Sequence, residues 1–237
     1  MTKNITMQNI EQYSQQLREE NEKHPLMNAV IKNGIDAVAE QPEAVVAMNH
    51  VFSEEIKTGR VSNQKQSGRC WMFAALNTFH HKINPLFKLK DFELSQNYTN
   101  FWDKFEKANF FLESVITTAE EPLNGRLVSW ILATPQQDGG QWDMLVSLIN
   151  KYGVVPKQVM PETFQSETSA RLNSLLNTKL REAAVKLRAL CQKRASEKDL
   201  QQAKEAILSD VYKILSYSLG EPPKTFDFEY RDTDGVS

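Results

Sequence analysis

Asn63-Gln64-Lys65-Gln66-Ser67-Gly68-Arg69-Cys70-Trp71-Met72-Phe73-Ala74 is the stretch on which the reading of this chain turns. Up to Arg69 it is polar and carries a glycine, so it reads as a loop. From Cys70 to about His81 the sequence CWMFAALNTFHH is dense in apolar residues and reads as a helix buried on most sides. A cysteine at the first position of a helix has a chemical meaning. A thiol attacks a carbonyl as thiolate, and the unpaired N–H groups and dipole of a helix start favour negative charge. Attack on a carbonyl also creates an oxyanion, which needs donors fixed in advance. The Cys70 backbone N–H can be one donor, and the Gln64 side-chain amide, reaching back from the loop, is placed to be a second.

Outward from this segment the chain reads as largely helical. Residues 5–21 form a polar helix with a thin apolar stripe at Ile5, Ile10 and Leu17, and residues 26–39 a second helix after Pro25. Residues 51–67 form a loop. Ser95 caps a helix running to Glu106, and another helix starts near Glu120. Asp138-Gly139-Gly140 breaks the chain before a helix from Gln141 to Tyr152, which Gly153 ends. Residues 165–219 contain neither proline nor glycine, and Leu172, Leu176, Leu180, Ala183, Leu187 and Leu190 recur at helical steps. Two long amphipathic helices broken near 196–199 are expected there, stopped by Gly220 and Pro222-Pro223. The alternation of Phe226-Asp227-Phe228-Glu229-Tyr230 reads as the start of a strand.

Composition sets the class. The chain has 237 residues, 41% apolar and 24% charged, with a formal net charge of -2. No basic field calls for nucleic acid or an acidic membrane. The polar start lacks the apolar core of a secretory signal, and no apolar run approaches the ~20 residues that span a bilayer. Two widely spaced cysteines, Cys70 and Cys191, do not make a disulfide framework, so a cytoplasmic setting is expected. Cys191 lies in an amphipathic helix and reads as packing or surface. His80 and His81 point apart on one helix, and no metal or other cofactor is expected.

The Cys70 segment resembles the papain-like cysteine peptidases, whose signature places a tryptophan after the nucleophile and a glutamine six residues before it; Trp71 and Gln64 stand there. Asp138-Gly139-Gly140 matches the family's substrate-cleft pair, Tyr152-Gly153-Val154 a later block, and Leu94-Ser95 the opening of the intervening helix. The resemblance implies that Cys70 is the catalytic nucleophile, Gln64 the oxyanion residue, and Asp138, Gly139 and Gly140 a substrate-binding wall. Where secreted members place a paired cysteine, this chain has Ser67 and Gln137, as suits a cytoplasmic branch. The strings QSGRCWMFAALN and DGGQWDMLVSLINKYGVVPKQVMPET resemble the bleomycin hydrolase and bacterial aminopeptidase C branch, over nearly the whole chain. That branch implies peptide substrates, removal of N-terminal residues and a homo-oligomer, often a hexamer.

The resemblance also implies an α+β, papain-like fold. Residues 1–163 are expected to form an N-terminal arm and helical lobe, 164–222 a helical hairpin insertion, and 223–237 the start of a β lobe that is largely missing. The family's base and orienting group, a His and an Asn, lie ~130–150 residues or more after the cysteine. His80 and His81 stand only ten and eleven residues after Cys70, roughly 15 Å along a helix axis. The expectation is therefore a chain that carries the nucleophile without its base and is inactive alone; the alternative is a non-catalytic fragment or interaction subunit.

Overall fold

A computed structural model describes residues 4–48, 51–56, 60–89 and 91–235. The chain divides into two compact units, Met1–Ile56 and Lys57–Ser237.

Among the described residues the first unit holds four α-helices, α1 (Met7–Glu19), α2 (His24–Asn33), α3 (Ile35–Ala39) and α4 (Pro42–Ala47), with a 3₁₀ turn at Asn21–Lys23. The expected single helix over 26–39 is two. Gly34 adopts φ +85°, and its N–H closes α2 on the Val30 carbonyl. α4 was not anticipated by the apolar spacing. None of these helices buries a residue, and Ile5, Met7, Ile10, Leu17, Ile31 and Ile35 are all exposed.

The second unit is built around one long helix. α5 (Cys70–Leu86) begins at the cysteine and runs five residues past His81. α6 (Gln96–Thr117) is capped by Ser95, whose Oγ accepts from the Tyr98 N–H at 3.0 Å. It continues eleven residues beyond Glu106, because Ala108, Phe111, Leu112 and Val115 extend its apolar face and are all buried. No helix starts at Glu120. The Gly125 N–H bonds the Pro122 carbonyl in a turn, and α7 spans Arg126–Ala133. α8 (Trp142–Tyr152) ends at Gly153, φ +74°. A short α9 (Phe164–Glu167) leads into α10 (Ala170–Gln192) and α11 (Glu197–Leu219), the latter capped by Ser196.

α6 packs against α5, α7, α8, α10 and α11. Its Phe101, Phe111 and Leu112 meet Leu176, Leu180 and Leu187 of α10 and Val211 and Leu215 of α11 in one core. The long hairpin therefore belongs to the same compact unit as α5. A smaller core of Met72, Ala75, Leu76, Leu94 and Leu145 fixes α5 on the starts of α6 and α8.

The described residues contain no sheet. Two isolated bridges occur, Gln66 with Thr168 and Leu94 with Pro156. Phe226–Tyr230, expected as a strand, makes no ladder. Its alternating rings instead pack edge-on against other aromatic groups, Phe228 against Phe92 and Tyr230 against Phe87. Alternation placed these rings on one side, but a strand needs a neighbour to exchange hydrogen bonds with, and none is formed here.

Candidate active site

Cys70 is exposed at the first position of α5. Arg69 stands before it at the cap position with φ -93° and ψ 17°, and no side chain caps the helix. The first amides to bond back are those of Met72 and Phe73, both to the Arg69 carbonyl. Among the described residues, the Cys70 and Trp71 N–H groups form no hydrogen bond. A helix start left open in this way presents donors to an incoming anion.

The loop leading to Cys70 is held by its own side chains and by the 162–169 segment. Ser67 Oγ donates to the Gln64 carbonyl at 2.7 Å and accepts from Arg69 Nε at 2.9 Å. Arg69 is buried, 1% exposed, and forks onto Glu162 with bonds of 3.2 and 2.8 Å. The Gln66 N–H donates to the Glu167 carbonyl, and the Gln66 carbonyl accepts from the Ser169 N–H. Gln64 is half-buried, and its Oε1 is enclosed without a partner among the described residues.

Asp138-Gly139-Gly140 meets this loop directly. The Gly68 N–H donates to Asp138 Oδ2 at 3.1 Å, and Trp71 Nε1 donates to the Asp138 carbonyl at 2.8 Å. Both approaches require glycine. A Cβ on Gly68 would lie 2.9 Å from Asp138 Cβ, and one on Gly140 would lie 2.5 Å from the Trp71 ring. Lys107 fastens the same turn. Its Nζ donates to Asp103 Oδ2, the Gln137 carbonyl and the Gly139 carbonyl at 2.7, 3.0 and 2.7 Å, so all three of its donors are engaged. It also lies 5.7 Å from the centre of the Trp71 ring.

The Asp138 carboxylate turns toward the interior. Oδ1 accepts from Lys104 Nζ and Asn173 Nδ2, each at 2.8 Å, and Oδ2 accepts from Ser169 Oγ at 2.5 Å as well as from Gly68. Burial alone would raise this carboxyl, but the Lys104 ammonium and the bonds from Lys104, Ser169 and Asn173 outweigh it and hold the group well below the usual carboxylate range. Lys104 is fully buried and also reaches Asn173 Oδ1.

The structure thus brings Cys70, Gln64, Gly139 and Gly140 to one locality. It adds Arg69, Lys104, Lys107, Glu162, Ser169 and Asn173, which the sequence reading passed over. Lys104 is buried through its pairing with Asp138, 34 residues away, and Asp103 through its pairing with Lys107, one turn further along α6. His80 lies elsewhere on α5, buried, with its Nε2 accepting from the Leu94 N–H at 2.7 Å. Its role there is to join α5 to the segment that opens α6. Of the two histidines that precede Cys70 and match nothing in the papain-like pattern, His24 opens α2 and His50 falls outside the described residues.

A family model described as "Peptidase C1-like family" matches residues 4–236. The chain is 58% identical over 234 residues to a protein named Aminopeptidase C from Listeria monocytogenes, covering 99% of this chain and 52% of that one. It is 43% identical over 234 residues to one named Aminopeptidase W from Lactobacillus delbrueckii, covering 99% and 53%. A crystal structure described as PepW from Lactobacillus rhamnosis superposes with a TM-score of 0.95 at 58% identity, covering 99% of this chain and 53% of that chain. The chain spans about half the length of these relatives. With a family match over residues 4–236 and relatives 58% identical across 99% of its length, the chain belongs to the Peptidase C1-like family.

Proposed function

We propose that this chain is the nucleophile-bearing part of a cytoplasmic, thiol-dependent aminopeptidase of papain-like fold. Cys70 attacks the carbonyl of a peptide's first residue and forms an acyl-enzyme, with departure of the shortened peptide as an amine. The Cys70 N–H and the Gln64 amide stabilise the oxyanion, and the Gly139-Gly140 backbone lines the cleft beside it. The observation that carries this reading is the meeting of two segments 70 residues apart, in which Gly68 and Trp71 on either side of Cys70 bond Asp138. The names of the relatives support the aminopeptidase class, and the absence of a membrane-crossing helix among the described residues is compatible with it.

A thiol of this kind needs a base. His80 is engaged with Leu94, and His81 follows it on α5, so neither serves Cys70. On this reading the 237 residues alone are inactive, the family His and Asn come from further chain, and any homo-oligomer belongs to the longer protein. Incubation of the purified chain with an aminoacyl fluorogenic amide is expected to give no turnover. In the protein at the full length of its relatives, Cys70→Ala should abolish turnover and Gln64→Ala should lower kcat by about 10²–10³. Turnover by the short chain that Cys70→Ala removes would overturn its inactivity; turnover that survives Cys70→Ala in the long protein would overturn the nucleophile.

A further inference from the structure

We infer that the Asp138 carboxylate is a positioning residue: it does not face substrate but locks the loop before Cys70 to the Gly-Gly wall, using the start of the α10–α11 hairpin as its anchor. The inference rests on the reading of Cys70 and Gly139-Gly140 as the two sides of a cleft.

Among the described residues, all four hydrogen bonds to the carboxylate come from the protein's own donors: the Gly68 amide, Lys104 Nζ, Ser169 Oγ and Asn173 Nδ2. A carboxylate has about four lone-pair sites, so this one is saturated and has nothing left for a ligand. Two of its partners, Ser169 at the cap of α10 and Asn173 in its first turn, belong to the hairpin. A third, Lys104, comes from the central helix. The fourth, Gly68, lies two residues before Cys70. The residue's main chain acts in the opposite direction, its carbonyl receiving Trp71 Nε1. One residue therefore fixes the chain on both sides of Cys70, side chain to the preceding loop and backbone to the following ring. The fit leaves no slack, because neither Gly68 nor Gly140 has room for a Cβ.

The geometry predicts a local signature. The Trp71 indole N–H and the Gly68 amide should exchange slowly with solvent, because each is bonded to Asp138. The Trp102 indole N–H serves as the control: its ring stacks on Tyr152 at 4.0 Å and has no bond to Asp138. In ¹⁵N spectra of the 237-residue chain, with Trp71→Phe assigning the indole signal, Asp138→Ala removes the acceptor of the Gly68 amide and should speed its exchange by roughly tenfold, the order of one lost hydrogen bond; Trp71, whose acceptor is the main-chain carbonyl that alanine keeps, should speed in the same direction because that carbonyl loses its anchor. Trp102 should change less than twofold. Asp138→Asn, which keeps an acceptor for Gly68 but not the ion pair, should recover part of the protection. Ser169→Ala, a milder lesion in the hairpin, should shift both signals in the same direction and keeps the test available if Asp138→Ala does not fold.

Unchanged exchange at Trp71 and Gly68 in Asp138→Ala, or in Ser169→Ala if that alone folds, would overturn the inference. Equal acceleration at Trp102 would also overturn it, by showing general loosening instead of positioning. Neither result depends on turnover, so failure here is distinct from failure of Cys70 as nucleophile, which the activity measurements read.

Discussion

At the scale of single residues, the neighbourhood of Cys70 is set by groups that were indistinct in the sequence. Arg69 is the clearest. It precedes the candidate nucleophile, is 1% exposed, and is paired in a fork with Glu162 while its guanidinium lies 5.1 Å from the centre of the Phe73 ring. Removing one member of a buried pair leaves the other charge without compensation, which is far costlier than never having had the pair. Arg69→Met should therefore destabilise the chain by about 3–5 kcal/mol, read as a lowered midpoint in urea unfolding with an unchanged slope. A loss below about 1 kcal/mol, the level of an exposed pair, would show that the fork contributes little. In the sequence, Arg69 was one more cation in a polar loop. Its burial follows from a partner 93 residues away, which no local pattern encodes.

At the scale of elements, most helices were legible because their caps and apolar spacing agree. Ser95, Gly153, Ser196 and Gly220 each mark an end where the chemistry requires one. The misplacements have local causes. Gly34 splits a helix that apolar spacing alone would continue, and the aromatic alternation of 226–230 serves ring packing without strand pairing. Ser95 does two tasks at once, accepting from the Tyr98 N–H and donating from its Oγ to the Met160 carbonyl at 2.5 Å. It is 1% exposed. Ser95→Ala thus strips a cap and leaves a buried carbonyl short of a partner, and should cost about 1–2 kcal/mol. Ser196, the exposed cap of α11, gives the comparison: its alanine variant should lose less in the same thermal melts. Equal losses would indicate that the Met160 bond contributes nothing.

At the scale of the whole molecule, His80 and Asp138 are two of the groups through which stability should depend on pH. Burial pushes the His80 imidazole below its usual value; Glu93 opposes this and Lys157 reinforces it. The unfolded chain therefore binds a proton at His80 more readily than the folded one, and stability rises with pH in that window. It is complete above about pH 6.5 and falls as the pH drops below it. Protonation also sets the Nε2 N–H against the Leu94 N–H that it had accepted. Asp138, held low, contributes fully above about pH 4 and is lost only in stronger acid. The melting temperature should thus fall between pH 7.5 and 5, and His80→Gln should flatten that slope. Identical slopes in the two proteins would remove His80 as the cause. None of this was readable from the sequence, where His80 was read as too far from Cys70 to serve it and as no part of a metal pair with His81. The broad assignment was readable, because Gln64, Cys70, Trp71 and Gly139-Gly140 carry it as a pattern; the ionic frame beneath them was not, because it is made of residues scattered from 68 to 173.

That scatter has a consequence for how the chain is made. The carboxylate clamp joins residues 68, 104, 138, 169 and 173. During synthesis Cys70 is added about a hundred residues before Asn173, an interval of roughly 5–20 s at ordinary elongation rates. Throughout that interval the thiol exists on the nascent chain while its surroundings do not. The cleft wall can close only after the hairpin's first turn has left the ribosome, so the order of translation itself delays the moment at which Cys70 acquires its setting.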